Sequence, residues 1–171
     1  MNAVYNYTII DDLTNFVIRK GLVNNSTNIA SGDNSIAFGN TVTASADEAI
    51  AFGDHASATG ENAFSVGYYT TAAGPKSITF GENVATAIAA SDAFAAGKLI
   101  TIIRAASASV GELNYVEQGK SFVEGYSNRA LGALTDSGTH VEGKQCVSQG
   151  EGSHVEGYIN YEGGYRNHVE G

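Results

Sequence analysis

Between residues 34 and 81, large and small side chains alternate in a fixed frame: NSIAFG (34–39), EAIAFG (48–53), NAFSVG (62–67) and KSITFG (76–81). The positions three and one before each glycine are large and apolar (Ile36 and Phe38, Ile50 and Phe52, Phe64 and Val66, Ile78 and Phe80), with Ala37, Ala51, Ser65 or Thr79 between them. Period-two alternation of this kind predicts a strand with one apolar face. Glycine closes the frame at Gly39, Gly53, Gly67, Gly81, Gly97, Gly111, Gly125, Gly143, Gly157 and Gly171, every 14 residues except for steps of 16 to Gly97 and 18 to Gly143. A second series, Gly32, Gly60, Gly74, Gly132, Gly150 and Gly164, runs seven residues out of phase and is interrupted by Ala46, Ile88, Arg104 and Gln118.

The unit is therefore a coil of two seven-residue half-turns, each with room for a strand of about five residues and a turn. Stacked, such coils make a narrow all-β solenoid, a parallel β-roll over residues 26–171. Coils in 26–111 are of the apolar type; those in 112–171 carry HVEG in its place. Hexapeptide helices and leucine-rich repeats have other periods and are excluded. The second half-turn places Ala30, Ala44, Ala58 and Ala72 two residues before its glycine position, so the interior is filled by small side chains. At about 0.8 kcal/mol per buried CH2, an alanine core is thin, and three rolls side by side would bury the remaining apolar surface.

Residues 1–25 stand outside the repeat. Ile9, Leu13, Phe16 and Val17 are spaced as one helical face, which predicts a short helix over 11–20 acting as a cap, trimerisation or attachment segment; a strand at YTII is the alternative. The 18-residue step places four extra residues in a longer loop within ALTDSGT (133–139), and KLITIIRAASASV (98–110) reads as a buried strand with Arg104 as a local irregularity.

Composition sharpens this picture. Twenty-one glycines and one proline suit short strands and tight turns and disfavour long helices. A net charge of -9 argues against nucleic acid and anionic lipid as partners. Cys146, the single cysteine, forms no intramolecular disulfide. The start MNAVYNYTIIDD lacks a secretory pattern and no run of about 18 apolar residues occurs, so no membrane insertion is expected.

NSIAFG, EAIAFG and KSITFG, with small half-turns such as ASATG (56–60) and TTAAG (70–74), resemble the YadA-like head repeats of trimeric autotransporter adhesins. The resemblance covers residues 26 to about 97 and implies a homotrimer of left-handed parallel β-rolls. The units THVEG (139–143), SHVEG (153–157) and NHVEG (167–171) are similar to the SHAEG repeats of phage and prophage tail-fibre and appendage proteins. Signal peptide, coiled-coil stalk and membrane anchor, which an autotransporter would add, are not visible. The combined expectation is a non-enzymatic fibre or appendage module on a virion surface, contributing to host-surface attachment. It would contact other virion proteins through its N-terminal segment or a longer C-terminal part, and a host glycan or protein. The alternative is the head of a trimeric adhesin on a bacterial cell surface, binding host matrix or cells.

Two sets of residues carry candidate chemistry. In the last three units the outer pair becomes His140 and Glu142, His154 and Glu156, His168 and Glu170, with Phe122 and Glu124 as the transition and Val123, Val141, Val155 and Val169 between. Coils stacked about 4.8 Å apart would align these as a histidine ladder beside a glutamate ladder. Mutual pairing of His and Glu at an interface is the preferred reading, with a pH-sensitive trimer and a metal site as alternatives; no metal or cofactor is assigned. Carboxylates repeated identically along a surface do not make the acid and base of a glycosidase cleft. Threonines do not recur as an ice-binding array. Tyr68, Tyr69, Tyr126, Tyr158 and Tyr165 follow glycines in turns, where exposed rings suit a receptor or glycan, or simply pack along a fibre edge.

Overall fold

A computed structural model describes residues 22–23, 27–132 and 138–171. Among these there is no helix. The chain winds as a parallel β-solenoid whose strands form two sheets, eleven strands in one and ten in the other, each strand paired with the equivalents one coil before and after. Register confirms the 14-residue coil: Ile36 pairs with Ile50, Phe38 with Phe52 and Gly39 with Gly53. The pairing already includes Leu22–Val23, opposite Ile36 and Ala37. The expected cap helix over 11–20 lies outside the described residues.

The two half-turns are not equal. The first carries strands of five residues, such as Ile50–Asp54, whereas the second carries only two, such as Ser57–Ala58. The reason lies in the turn that follows the short strand. Its backbone closes from the residue three after the half-turn position, as in Ala63 N–H to Gly60 C=O (3.1 Å) and Ser77 N–H to Gly74 C=O (3.1 Å), and this uses up the residues expected to extend the strand. Each coil also turns corners on residues of positive φ, including His55 (57°), Tyr69 (52°) and Ile159 (57°). Most L residues reach this region only at a cost of about 1 kcal/mol or more, so stacking of neighbouring coils must hold it.

The 14-residue glycine requirement has a direct cause. Gly53 has a φ of 131° and Gly143 a φ of 104°. A Cβ at either would fall on the carbonyl oxygen of the glycine one coil further, Gly67 or Gly157. Both insertions are absorbed in turns. The 16-residue step enters between Thr86 and Phe94, since Thr86 pairs with Ala72 behind it and Ile102 ahead. The 18-residue step enters between Ala130 and His140. Residues 133–137 of the loop expected there lie outside the described residues.

Inward positions recur as a quartet per coil, for example Ala49, Ala51, Ala56 and Ala58, all buried. Alanines dominate one apolar cluster from Ala37 to Ala72, and larger side chains (Ile100, Ile102, Val116, Val123, Val141, Val155) form a second. Buried hydroxyls separate them: Ser65 bonds Thr70 (2.9 Å), Thr79 bonds Ser65 (3.0 Å) and Thr86 bonds Ser77 (2.9 Å). Pairing each hydroxyl with another avoids the penalty of an unsatisfied buried polar group. Cys146 is a buried member of the second cluster.

Candidate functional site

Alternation in the five-residue strands sends small residues inward and large ones out. Ala37, Ala51, Ser65 and Thr79 are fully buried. Their neighbours make an outer stripe in which Phe38, Phe52, Phe64, Phe80 and Phe94 follow one another at ring separations of 5.5–6.3 Å. Phe38 remains 51% exposed and Phe80 38%, so the chain by itself leaves an apolar face of several coils in contact with water. Faces of that size on a single chain mark an interaction surface.

The same stripe continues, by unbroken register, into the HVEG coils: Phe122 pairs with His140, His140 with His154 and His154 with His168. The imidazoles stack at centroid separations of 4.6 Å and 4.8 Å, with interplanar angles of 2° and 13°. Phe122 caps this stack at 5.2 Å from His140. Glutamates interleave with the rings. His140 Nε2 lies 3.6 Å from both Glu124 and Glu142, His154 Nε2 lies 3.7 Å from Glu142 and 3.8 Å from Glu156, and His168 Nε2 lies 3.6 Å from Glu156. Glu170 completes a cluster with Glu156 and His168. All three expected His and Glu pairs are thus brought together, with Glu124 as a further member at one end. An open groove, lined by Glu124, Glu142, Glu156 and Glu170 and their adjoining glycines, runs alongside.

The tyrosines do not form one patch. Tyr126 and Tyr158 flank Lys144 in one column, with the ammonium 5.7 Å and 5.5 Å from the two ring centroids, a cation–π arrangement. Tyr68 belongs to the same column but several coils away, and meets Tyr69 edge-on (4.6 Å); Tyr69 stacks on His55 (4.4 Å). Tyr165 sits in the other turn of its coil, exposed. Lys144 and His55 escaped the sequence reading. Glu162 did too, although it occupies the column of Ala44, Ala58 and Ala72, two residues before a half-turn glycine. It is buried and accepts hydrogen bonds from Ser148 Oγ (3.1 Å), Gly150 N–H (3.1 Å), Asn167 Nδ2 (3.0 Å) and Gly164 N–H.

Among the described residues, no helix is long and apolar enough to cross a membrane. Comparison with protein families finds the YadA head domain repeat (2 copies) at residues 26–41, 30–56 and 44–70. Those coils carry YadA-type head repeats. The matches end at residue 70, so the HVEG coils lie beyond them. No curated protein matches the chain significantly.

Proposed function

We propose that this chain is a surface-exposed, adhesin-type solenoid module that assembles as a homotrimer through its outer stripe and presents its turn edges to a host glycan or protein. One observation carries the reading: a continuous file of phenylalanines stands outside a roll whose own interior is filled by alanine, in coils that match the YadA head repeat. Burying such a file against copies of itself supplies the apolar area that the thin core lacks. The module is read as non-enzymatic, since its carboxylates recur in identical settings along an outer face instead of converging in a cleft.

Light scattering on the full chain tests the assembly. A mass of about 53 kDa, three times 17.7 kDa, is expected, and Phe52→Glu together with Phe64→Glu should return it to the single-chain value. A monomer for the unaltered chain at micromolar concentration would overturn the trimer. A second reading, a fibre module on a phage or prophage virion held by other virion proteins, is favoured by the HVEG coils beyond the matched repeats. Antibody labelling of bacterial cells and of purified virions distinguishes the two surfaces.

A further inference from the structure

The ladder distances do not suit direct His–Glu hydrogen bonding. Where a histidine and a carboxylate do pair in this protein, at His55 Nδ1 and Asp54 Oδ1, they lie 2.6 Å apart. All five imidazole–carboxylate approaches in the ladder are 3.6–3.8 Å, about 1 Å longer and outside hydrogen-bond range. The Nε2 atoms of His140 and His154 are nonetheless shielded from solvent and have no hydrogen-bond partner. A nitrogen in that position, facing two carboxylate oxygens, forgoes a strong interaction. The separations instead approach the ligand-to-ligand edge of a tetrahedral metal site, about 3.4 Å for bonds of 2.0–2.2 Å.

We propose that the HVEG stripe binds divalent transition-metal cations of the Zn2+ class, each held by one imidazole Nε2 and the two carboxylates that flank it. The sets are His140 with Glu124 and Glu142, His154 with Glu142 and Glu156, and His168 with Glu156 and Glu170. The glutamate side chains that would move to close each set are themselves partly exposed. Glu142 and Glu156 each serve two sets, so full loading is three cations per chain and sharing can reduce it to one or two. Three protein ligands leave each cation one position for water or for a group from a neighbouring chain. Three ligands with one position free is an arrangement zinc adopts readily. An imidazole in every set selects Zn2+, Ni2+ or Co2+ over Ca2+ and Mg2+, which take oxygen ligands. The cation also relieves the mutual repulsion of four carboxylates stacked about 4.8 Å apart. Every set lies within one chain, so the proposal does not rest on the trimer.

Calorimetric titration of the full chain with Zn2+ at pH 7.5, with Ca2+ in parallel, tests it. Zn2+ should bind at least tenfold tighter than Ca2+, at one to three ions per chain. His154→Gln should cost tenfold or more in affinity or remove a site, whereas His55→Gln should change nothing. Equal affinity for the two ions, or Zn2+ binding indifferent to His154→Gln, would overturn the proposal and leave an acidic stripe with a diffuse ion atmosphere. Should His154→Gln lose its far-UV circular dichroism, Co2+ loaded on the unaltered chain decides: visible bands of histidine-ligated tetrahedral Co2+ support the site, and the spectrum of aqueous Co2+ overturns it.

Discussion

Coils before Gly111 and coils after it are wound on the same backbone, yet they differ on both surfaces of the strand. On the long strand the earlier coils have small residues inside (Ala37, Ala51, Ser65, Thr79, Ala95) and a phenylalanine file outside; the later ones have valine inside (Val123, Val141, Val155) and histidine with glutamate outside. Strand register passes through the change without a break, from Ala108 opposite Phe122 to Phe122 opposite His140. Neither the volume of the interior nor the chemistry of the outer stripe therefore sets the coil. Glycine at the end of the long strand does, together with corner residues of positive φ, and the remaining positions are free to be exchanged. The difference between the halves is a difference of cargo on one scaffold.

The glycine column is where that claim is most easily broken. Gly53→Ala and Gly143→Ala each drive a Cβ into the backbone of the next coil at a φ where alanine is strained. Each should cost at least about 4 kcal/mol of unfolding free energy, or prevent folding, despite lying in opposite halves. Thermal unfolding of the pair measures it. A mild effect in one half alone would show that the two backbones are held by different means.

Next in size is Glu162→Ala, which sharpens the contrast in the interior. A carboxylate stands there in a column that alanine fills at 44, 58 and 72. Small size alone would make alanine welcome, but Ser148, Gly150, Gly164 and Asn167 all donate to this carboxylate. Removing it should destabilise the chain by about 3 kcal/mol, because Ser148 and Gly150 stay buried without this acceptor. Denaturant unfolding reads the loss; a neutral substitution would mean that the terminal coils satisfy these donors with water.

Reciprocal exchange of interior volume comes third. Val141→Ala should cost roughly 2 kcal/mol through lost burial and a small cavity. Ala51→Val in the equivalent column should cost about 1–3 kcal/mol for the opposite reason, overpacking against Ala37 and Ser65 one coil to either side. If Ala51→Val were stabilising instead, the alanine-filled coils would hold unused space and the two halves would differ less than their side chains suggest.

Much of this was legible in the sequence because a solenoid converts sequence distance directly into spatial neighbourhood. Fourteen residues between Gly39 and Gly53 place them side by side, and Ala37 between Ile36 and Phe38 declares which face is the thin one. The His140, His154 and His168 stack follows from the same arithmetic. Strand length in the second half-turn was not legible, since Gly60 and Ala63 close a turn whose hydrogen bond leaves no mark in the alternation. Lys144 follows Gly143 as Tyr126 follows Gly125 and Tyr158 follows Gly157, so its column could be counted from the glycines, but nothing in the alternation shows that an ammonium settles between the two rings. Glu162 could have been placed by counting back from Gly164, but a charged residue in an alanine column conflicts with the expected small interior until its four donors are seen.

The smallest effect expected is the most discriminating for the separation of inside from outside. His154→Phe with Glu156→Val rewrites one HVEG coil in the style of the earlier coils while leaving Val155 in the roll. Both side chains are partly exposed and contact their own stripe, so far-UV circular dichroism should be unchanged. Unfolding free energy, measured where the chain's mass is unaltered, should move by no more than about 0.5 kcal/mol per position. Affinity for Zn2+ should nevertheless fall, because the central imidazole and a shared carboxylate are both gone. A stability loss well above that bound would show that the stacked imidazoles and glutamates hold the later coils together, and that here the stripe is part of the scaffold.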